Sequence, residues 1–405
     1  MCPAPVGAAD AVPALELADI VRAYGDGYAR THRLTPVQHR ALRAIAACRT
    51  AALGGHQDTC DHCGATRITY NSCRNRHCPK CQAGAREAWL AARQAELLPI
   101  PYFHVVFTLP HALNPLAQGN PRVLYALLFR AAADTLLAFG RDARHLGGTI
   151  GVTAILHTWG QNLSQHLHLH CLVTGGALAP DGARWIPSRS PRFLFPVRAL
   201  ATVFRGTFLA ALQRTFTARH LTFAGGTAAL ADPPAFARFC RDLRRLPWVV
   251  YAKPPFAGPA QVLAYLGRYT HRVALTNHRL VACAQAHVAF RWRDYADGDR
   301  LKILTLPVAE FLRRFLLHIV PRGFMRIRHF GLLANRRRAT ALAQCRQLLA
   351  VPAPLAPADP PADEPPPDDP PARRCPFCHV GHWVRIALPP HLGPPLPTPA
   401  ELDSS

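Results

Sequence analysis

Three histidines stand at alternate positions in the run His166, Leu167, His168, Leu169, His170. On an extended strand successive side chains face opposite ways, so the imidazoles share one side while Leu167, Leu169 and Cys171 take the other. Neutral imidazoles on one face bind a divalent cation well. Three consecutive same-face residues span about 13 Å at roughly 6.6–6.8 Å per two residues. One ion with bonds of about 2.0–2.1 Å is readily shared by neighbours two apart, and only with difficulty by all three. The pair His168 and His170 therefore leaves two candidates for a third ligand. One is His166. The other is His157, eleven residues before His168, which a loop at residues 160–164 can return on a neighbouring strand.

A second constellation is Tyr265 with Tyr269, two phenols at i and i+4 on one face of an expected helix, beside Arg268, His271 and Arg272. A phenol with a pKa of about 10 attacks poorly at neutral pH unless a cation polarises its target. Phenolate is in turn a good leaving group. A bond between tyrosine and a DNA phosphate can therefore be reversed by a DNA 3′-hydroxyl without ATP.

The cysteines supply a third motif. Cys60 with Cys63 and Cys78 with Cys81 form two CxxC knuckles separated by fourteen residues. Two such turns complete a tetrahedron around a structural Zn²⁺, leaving no open position for chemistry. His56, Cys73 and His77 are alternative ligands, and Arg74, Arg76 and Lys80 inside the knot suit contact with phosphates. A further pair, Cys375 and Cys378, needs two more ligands, for which His379 and His382 are the neighbours in sequence.

The chain as a whole is basic, with 47 Lys and Arg against 24 Asp and Glu in 405 residues and a formal net charge of +23. Nearly all the cations are arginine and they spread along the chain, which points to an anionic partner such as nucleic acid. Five of the 24 acids lie between positions 359 and 369, and the rest assemble no convincing carboxylate triad for a two-metal nuclease. A non-catalytic zinc-finger DNA-binding protein would explain the charge and the knuckles, but it needs neither the histidine strand nor the paired tyrosines. No secretory signal is read at the start and no uncharged stretch is long enough to span a bilayer, so a cytoplasmic protein without a membrane partner is expected. Cysteines at metal-ligand spacing agree with a reducing compartment.

The elements that must position these groups read as an α+β chain. Residues 15–98 form a helical and zinc-binding unit, with helices over 15–49 and 85–98 around a Cys/His-rich knot of little periodicity at 56–82. Residues 99–345 form a unit of strands with helices: strands over 102–109, 166–173 and 248–252, a hairpin of 279–284 with 288–292, and helices over 120–139, 198–230, 261–269 and 310–319. Arg326 and Arg328 lie in a basic segment at 322–338. Residues 351–372 are dominated by proline, alanine and acids and are expected to be an extended, disordered linker to a Cys/His tail at 373–405, a candidate second zinc site.

Together the histidine and tyrosine motifs resemble the HUH nucleases, named for a histidine–hydrophobe–histidine pair, here His168, Leu169 and His170. Within that class the sequence resembles the two-tyrosine transposases of rolling-circle insertion sequences, the insertion-sequence ninety-one family. The likeness runs from about residue 17 to 338 through 48–51 (CRTA), 71–82 (NSCRNRHCPKCQ), 102–110 (YFHVVFTLP), 156–160 (LHTWG), 166–176 (HLHLHCLVTGG), 265–272 (YLGRYTHR), 310–315 (EFLRRF) and 323–329 (GFMRIRH). It implies an amino-terminal zinc-binding domain, an antiparallel catalytic domain, and Mg²⁺ or Mn²⁺ on the histidines. It further implies Tyr265 and Tyr269 as nucleophiles on single-stranded DNA at insertion-sequence ends, through a 5′-phosphotyrosine intermediate. Leu167 departs from the pattern, where proline often stands. A lone histidine followed by a pair eleven and thirteen residues later is also similar to the three-histidine site of conjugative relaxases. The expected ligand set is therefore His157, His168 and His170, with His166 at the edge. Arg74, Arg76, Lys80, Arg268, Arg272, Arg326 and Arg328 are the expected DNA contacts.

Overall fold

A computed structural model describes residues 15–81, 89–94, 96–190, 192–256, 261, 262, 267, 274–350 and 374–390. The expected linker, Tyr265, Arg268, Tyr269, His271 and Arg272 lie outside the described residues.

The chain opens with helices α1 (Leu17–Thr31) and α2 (Pro36–Ala46). The start of α2 is written in its sequence: Pro36 supplies a helical φ at the first position. The Thr35 hydroxyl accepts from Gln38 N (3.4 Å) while Thr35 N donates to Gln38 Oε1 (2.9 Å). Where a knot without periodicity was expected, strands β1 (Gly55–Cys60) and β2 (Thr66–Tyr70) form an antiparallel hairpin. Then come β3 (Tyr102–Thr108), α3 (Asn114–Gly119), α4 (Pro121–Arg141), β4 (Gly151–Trp159) and β5 (Gln165–Thr174). A small ribbon of β6 (Gly176–Leu178) and β7 (Trp185–Pro187) precedes α5 (Val197–Thr217), α6 (Pro233–Arg245) and β8 (Val250–Phe256). The second half adds β9 (Leu280–Ala284), β10 (His287–Asp294), β11 (Arg300–Pro307), α7 (Val308–Leu316), β12 (Ile327–Gly331) and α8 (Arg338–Leu348). Strand β13 (Trp383–Leu388) closes the described chain.

The central sheet is fully antiparallel, in the order β12-β4-β5-β3-β8, so the molecule is α+β. Alternation decides its two faces. Val105, Phe107, Ala154, Leu156, Leu167, Leu169 and Cys171 point to one side, into a core shared with Leu128 and Leu136 of α4 and Phe204 and Phe208 of α5. Phe107 meets Phe204 edge to face at 4.9 Å, and truncating such a buried ring to alanine costs about 3–5 kcal/mol. By length and composition α4 could cross a membrane, although Arg130 and Asp134 interrupt it; here its apolar face is spent on this core. The opposite face of the sheet carries the histidines. One end of it is covered by α8, where Leu342 and Cys345 pack on Tyr102, Ile155 and Leu172; the other end is open.

Two expected boundaries do not separate cores. Leu17, Ile20 and Ile45 of α1 and α2 share a core with Val288, Phe290, Phe311 and Phe315, because two short helices alone bury too little apolar surface. The tail is no appendage either: β13 pairs antiparallel with β1, giving a three-stranded sheet of order β13-β1-β2.

A candidate metal centre on the open face of the sheet

The turn after β4 returns the chain as β5, and the register sets His157 directly opposite His168. His168 and His170 follow on the same face of β5. One ring nitrogen from each of the three lies within 4.8 Å of the others, and all three residues are buried. His168 Nδ1 lies 2.9 Å from the carbonyl of His166, which fixes it as the N–H donor and leaves the Nε2 lone pair free. That Nε2 is 3.1 Å from His170 Nε2, close to the spacing of two adjacent ligands with bonds of about 2.0–2.1 Å. Burial pushes the His168 imidazolium down to about 3, so the ring is neutral and able to ligate at neutral pH.

Behind the cluster stands His104 of β3, a residue the sequence reading did not single out. Its Nε2 is 3.0 Å from His170 Nδ1, on rings stacked at 5.2 Å, so it holds the rear nitrogen of His170 and turns Nε2 toward the centre. Period two within β3 was the available signal. Trp159 stacks on His157 at 4.5 Å and fixes that ring in turn. His166 instead faces His111, Nδ1 to Nε2 3.2 Å, at the rim.

The histidines floor an open cavity of about 650 Å³, also lined by Tyr251 and Lys253 of β8, Arg279 and Tyr295. Arg279 is anchored by donating Nε–H to the Arg291 carbonyl (2.8 Å) and a second N–H to the Gln161 carbonyl. The arrangement offers a three-imidazole ligand set beside Lys253 and the anchored Arg279, which suits an anionic substrate.

The cysteines part from the sequence reading. Cys60, Cys63, Cys78 and Cys81 do not gather around one ion. The β1–β2 hairpin intervenes: Cys60 and Cys63 sit at its turn, whereas the chain re-emerges at its base, where Arg49 N donates to the Asn71 carbonyl at 3.1 Å. Six residues of strand separate turn from base by nearly 20 Å at roughly 3.3 Å per residue. At the base, Cys78 and Cys81 join Cys73 and Cys48, with Sγ–Sγ distances of 3.4 Å (Cys48–Cys81), 3.5 Å (Cys73–Cys81) and 3.6 Å (Cys48–Cys78). Bonds of about 2.3 Å from zinc to four tetrahedral sulfurs place those sulfurs about 3.8 Å apart, so this set fits the ion. Cys48 was visible in the CRTA motif but had no nearby partner to mark it as a ligand. His56 lies outside both cysteine groups, 4.0 Å from Asp58. His77 is buried with its Nε2 unpartnered, and burial with the neighbouring arginines holds it well below its ordinary pKa.

Several expected DNA contacts point elsewhere. Arg76 turns inward and donates to the carbonyls of Phe324 (2.6 Å), Pro321 (2.6 Å) and Val320 (3.4 Å), tying the knuckle to the residues before β12. Lys80 is ion-paired with Glu16. Arg328 lies over the rings of Phe129 (4.5 Å) and Phe324 (4.9 Å), and Arg326 is largely buried beside Arg76, which lowers it to about 10. Of Arg74, Arg76 and Lys80, Arg74 is the exposed one.

Comparison with known proteins gives these features a setting. The family model "Transposase zinc-binding domain" matches residues 20–109, and the model "Putative transposase" matches residues 151–340, which include the histidine strand pair. The "Putative transposase y4qJ" of Sinorhizobium fredii is 52% identical over 92% of this chain and 95% of its own length. The "Transposase for insertion sequence element IS801" of Pseudomonas savastanoi pv. phaseolicola is 30% identical over 75% of this chain and 72% of its own. Among solved structures, the conjugative relaxase TrwC in complex with oriT DNA, in a metal-free form, aligns at 14% identity with a TM-score of 0.24, over 40% of this chain and 70% of its own. The sequence matches place a DNA transposase here. More narrowly, the chain belongs to the insertion-sequence ninety-one (IS91) family, with that family's zinc-binding domain at its amino-terminal end.

Proposed function

We propose that this transposase cleaves and rejoins single-stranded DNA at insertion-sequence ends through a 5′-phosphotyrosine intermediate, with Mg²⁺ or Mn²⁺ held by His157, His168 and His170. The observation that carries the reading is the convergence of three buried imidazoles, one ring nitrogen from each within 4.8 Å of the others, with His168 held at Nδ1 and His170 held at Nδ1 by their neighbours. Bound there, the ion supplies charge to polarise a scissile phosphate. Lys253 and Arg279 at the cavity wall favour the anionic backbone of the strand. Tyr265 and Tyr269 are the assigned nucleophiles from the family motif. The phenolic oxygen bonds to phosphorus as the P–O3′ bond breaks, the phenol proton passes to solvent and the freed 3′-oxygen takes one up. Attack by another 3′-hydroxyl reverses the step and joins new ends. Two nucleophiles allow one to hold a broken end while the other cuts.

The test measures Mn²⁺ affinity and cleavage of a labelled single-stranded element end for each His→Ala protein. His157→Ala, His168→Ala and His170→Ala are expected to lose both, and His166→Ala to keep metal affinity. Loss of both in His166→Ala with retention of both in His157→Ala would make the ligand set His166, His168 and His170.

A further inference from the structure

The second cysteine group joins two ends of the sequence. Cys60 Sγ is 3.7 Å from Cys378 Sγ, and Cys63 Sγ is 3.7 Å from Cys375 Sγ, across a separation of 312 residues in the latter pair. All four sulfurs lie within 4.8 Å of one another, and none is in a disulfide. We propose that they hold a second structural Zn²⁺, so that the carboxy-terminal tail completes a zinc ribbon whose other half is the amino-terminal hairpin.

The two knuckles are built alike. In one, Gly64 N donates to the Cys60 carbonyl (3.1 Å) and Cys60 N to the Ala65 carbonyl (2.8 Å); in the other, His379 N donates to Cys375 O (2.9 Å) and Cys375 N to Gly381 O (2.7 Å). The residue after each second cysteine, Gly64 or His379, has a left-handed φ, +69° and +57°. This turn aims two sulfurs at one point, and two facing turns make a tetrahedron with the roughly 3.8 Å edges that zinc sets. The Gly381 N–H also points at Cys378 Sγ, 3.4 Å away.

The surroundings are fitted to a docked tail. A Cβ at Gly381 would sit 2.6 Å from Cys60 Sγ and 2.5 Å from His62 Cβ, so only glycine admits this approach. His382 N donates to Asp61 Oδ1 (2.7 Å), and β13 pairs with β1 along its whole length from Gly55–Leu388 to Cys60–Trp383. Asp58 on β1 is fully buried, and a buried carboxylate is costly unless paired. Its partners are Arg67 of β2 (2.8 Å) and Arg385 of β13 (2.7 and 3.3 Å), so half of its compensation arrives with the tail. Neither matched family segment, 20–109 or 151–340, reaches these tail residues.

The experiment counts metal on the full chain. Protein purified without chelator is weighed by native mass spectrometry, and the zinc is then replaced by Co²⁺ to read the sulfur-to-cobalt absorption. The expected wild-type absorption is twice that of one four-cysteine site. Cys375→Ser with Cys378→Ser is expected to halve it and release one zinc, leaving the Cys48, Cys73, Cys78 and Cys81 site loaded. A wild-type signal of a single four-cysteine site overturns the proposal whether or not the variant folds. So does a folded double variant that keeps the wild-type zinc content.

Discussion

Replacing His104 by phenylalanine removes a ring nitrogen while keeping a planar ring of nearly the same size in a buried slot. His104 is 2% exposed and its Nε2 lies 3.0 Å from His170 Nδ1. That contact fixes which nitrogen of His170 faces the centre; without it, the ring can take the other tautomer or rotate. Partners behind metal-binding histidines are worth 10–100-fold in affinity, about 1.4–2.7 kcal/mol at 1.36 kcal/mol per decade. The expected outcome is a 10–100-fold weaker Mn²⁺ Kd by titration calorimetry, with single-strand cleavage partly restored by raising the metal concentration. The melting temperature should fall modestly, because His170 Nδ1 loses a buried hydrogen-bond partner, a change that costs about 1–3 kcal/mol. His104→Gln, which can still offer a hydrogen bond to Nδ1, should recover part of the affinity. An unchanged Mn²⁺ Kd in a folded His104→Phe protein would refute the positioning argument.

Arg74→Ala should lower the salt dependence of DNA binding by about one phosphate contact, measured as the slope of log Kd against log salt. Arg76→Ala should instead destabilise the fold by about 1.5–3 kcal/mol in denaturant titration, because it leaves carbonyls of Val320, Pro321 and Phe324 without their charged donor. Cys48→Ser should cost one zinc by metal analysis, although Cys48 lies outside both CxxC pairs. Glu310, held down to about 2 by Arg313 and then Arg314, contributes stability that is complete above its ordinary pKa near 4.5 and fades as pH falls toward 2; urea midpoints for wild type and Glu310→Gln should converge over that window.

What the sequence disclosed and concealed follows from range. The face of β5 bearing His168 and His170 was legible because period two is a local property, and the short loop to β4 made His157 a rational third ligand. Cysteine partnership was not local: adjacent CxxC pairs invite one site, but the hairpin between them sends each to a different partner, one of them more than 300 residues away. Arginine orientation was equally hidden. Nothing in the composition of residues 74–80 tells that Arg76 meets backbone carbonyls while Arg74 meets solvent. His104 escaped notice because a single histidine in an apolar strand reads as core until its neighbour across the sheet is known to be His170's strand.

The covalent tyrosine–DNA bond can be sought directly. Purified protein is mixed with Mg²⁺ and a single-stranded element end labelled on the 3′ side of the cut, then resolved under denaturing conditions. Wild type is expected to give a labelled protein–DNA adduct that disappears when both Tyr265 and Tyr269 are changed to phenylalanine, with the folded state retained. Undiminished adduct in the double variant, or cleavage that leaves a free 5′-phosphate and no adduct, would contradict that expectation.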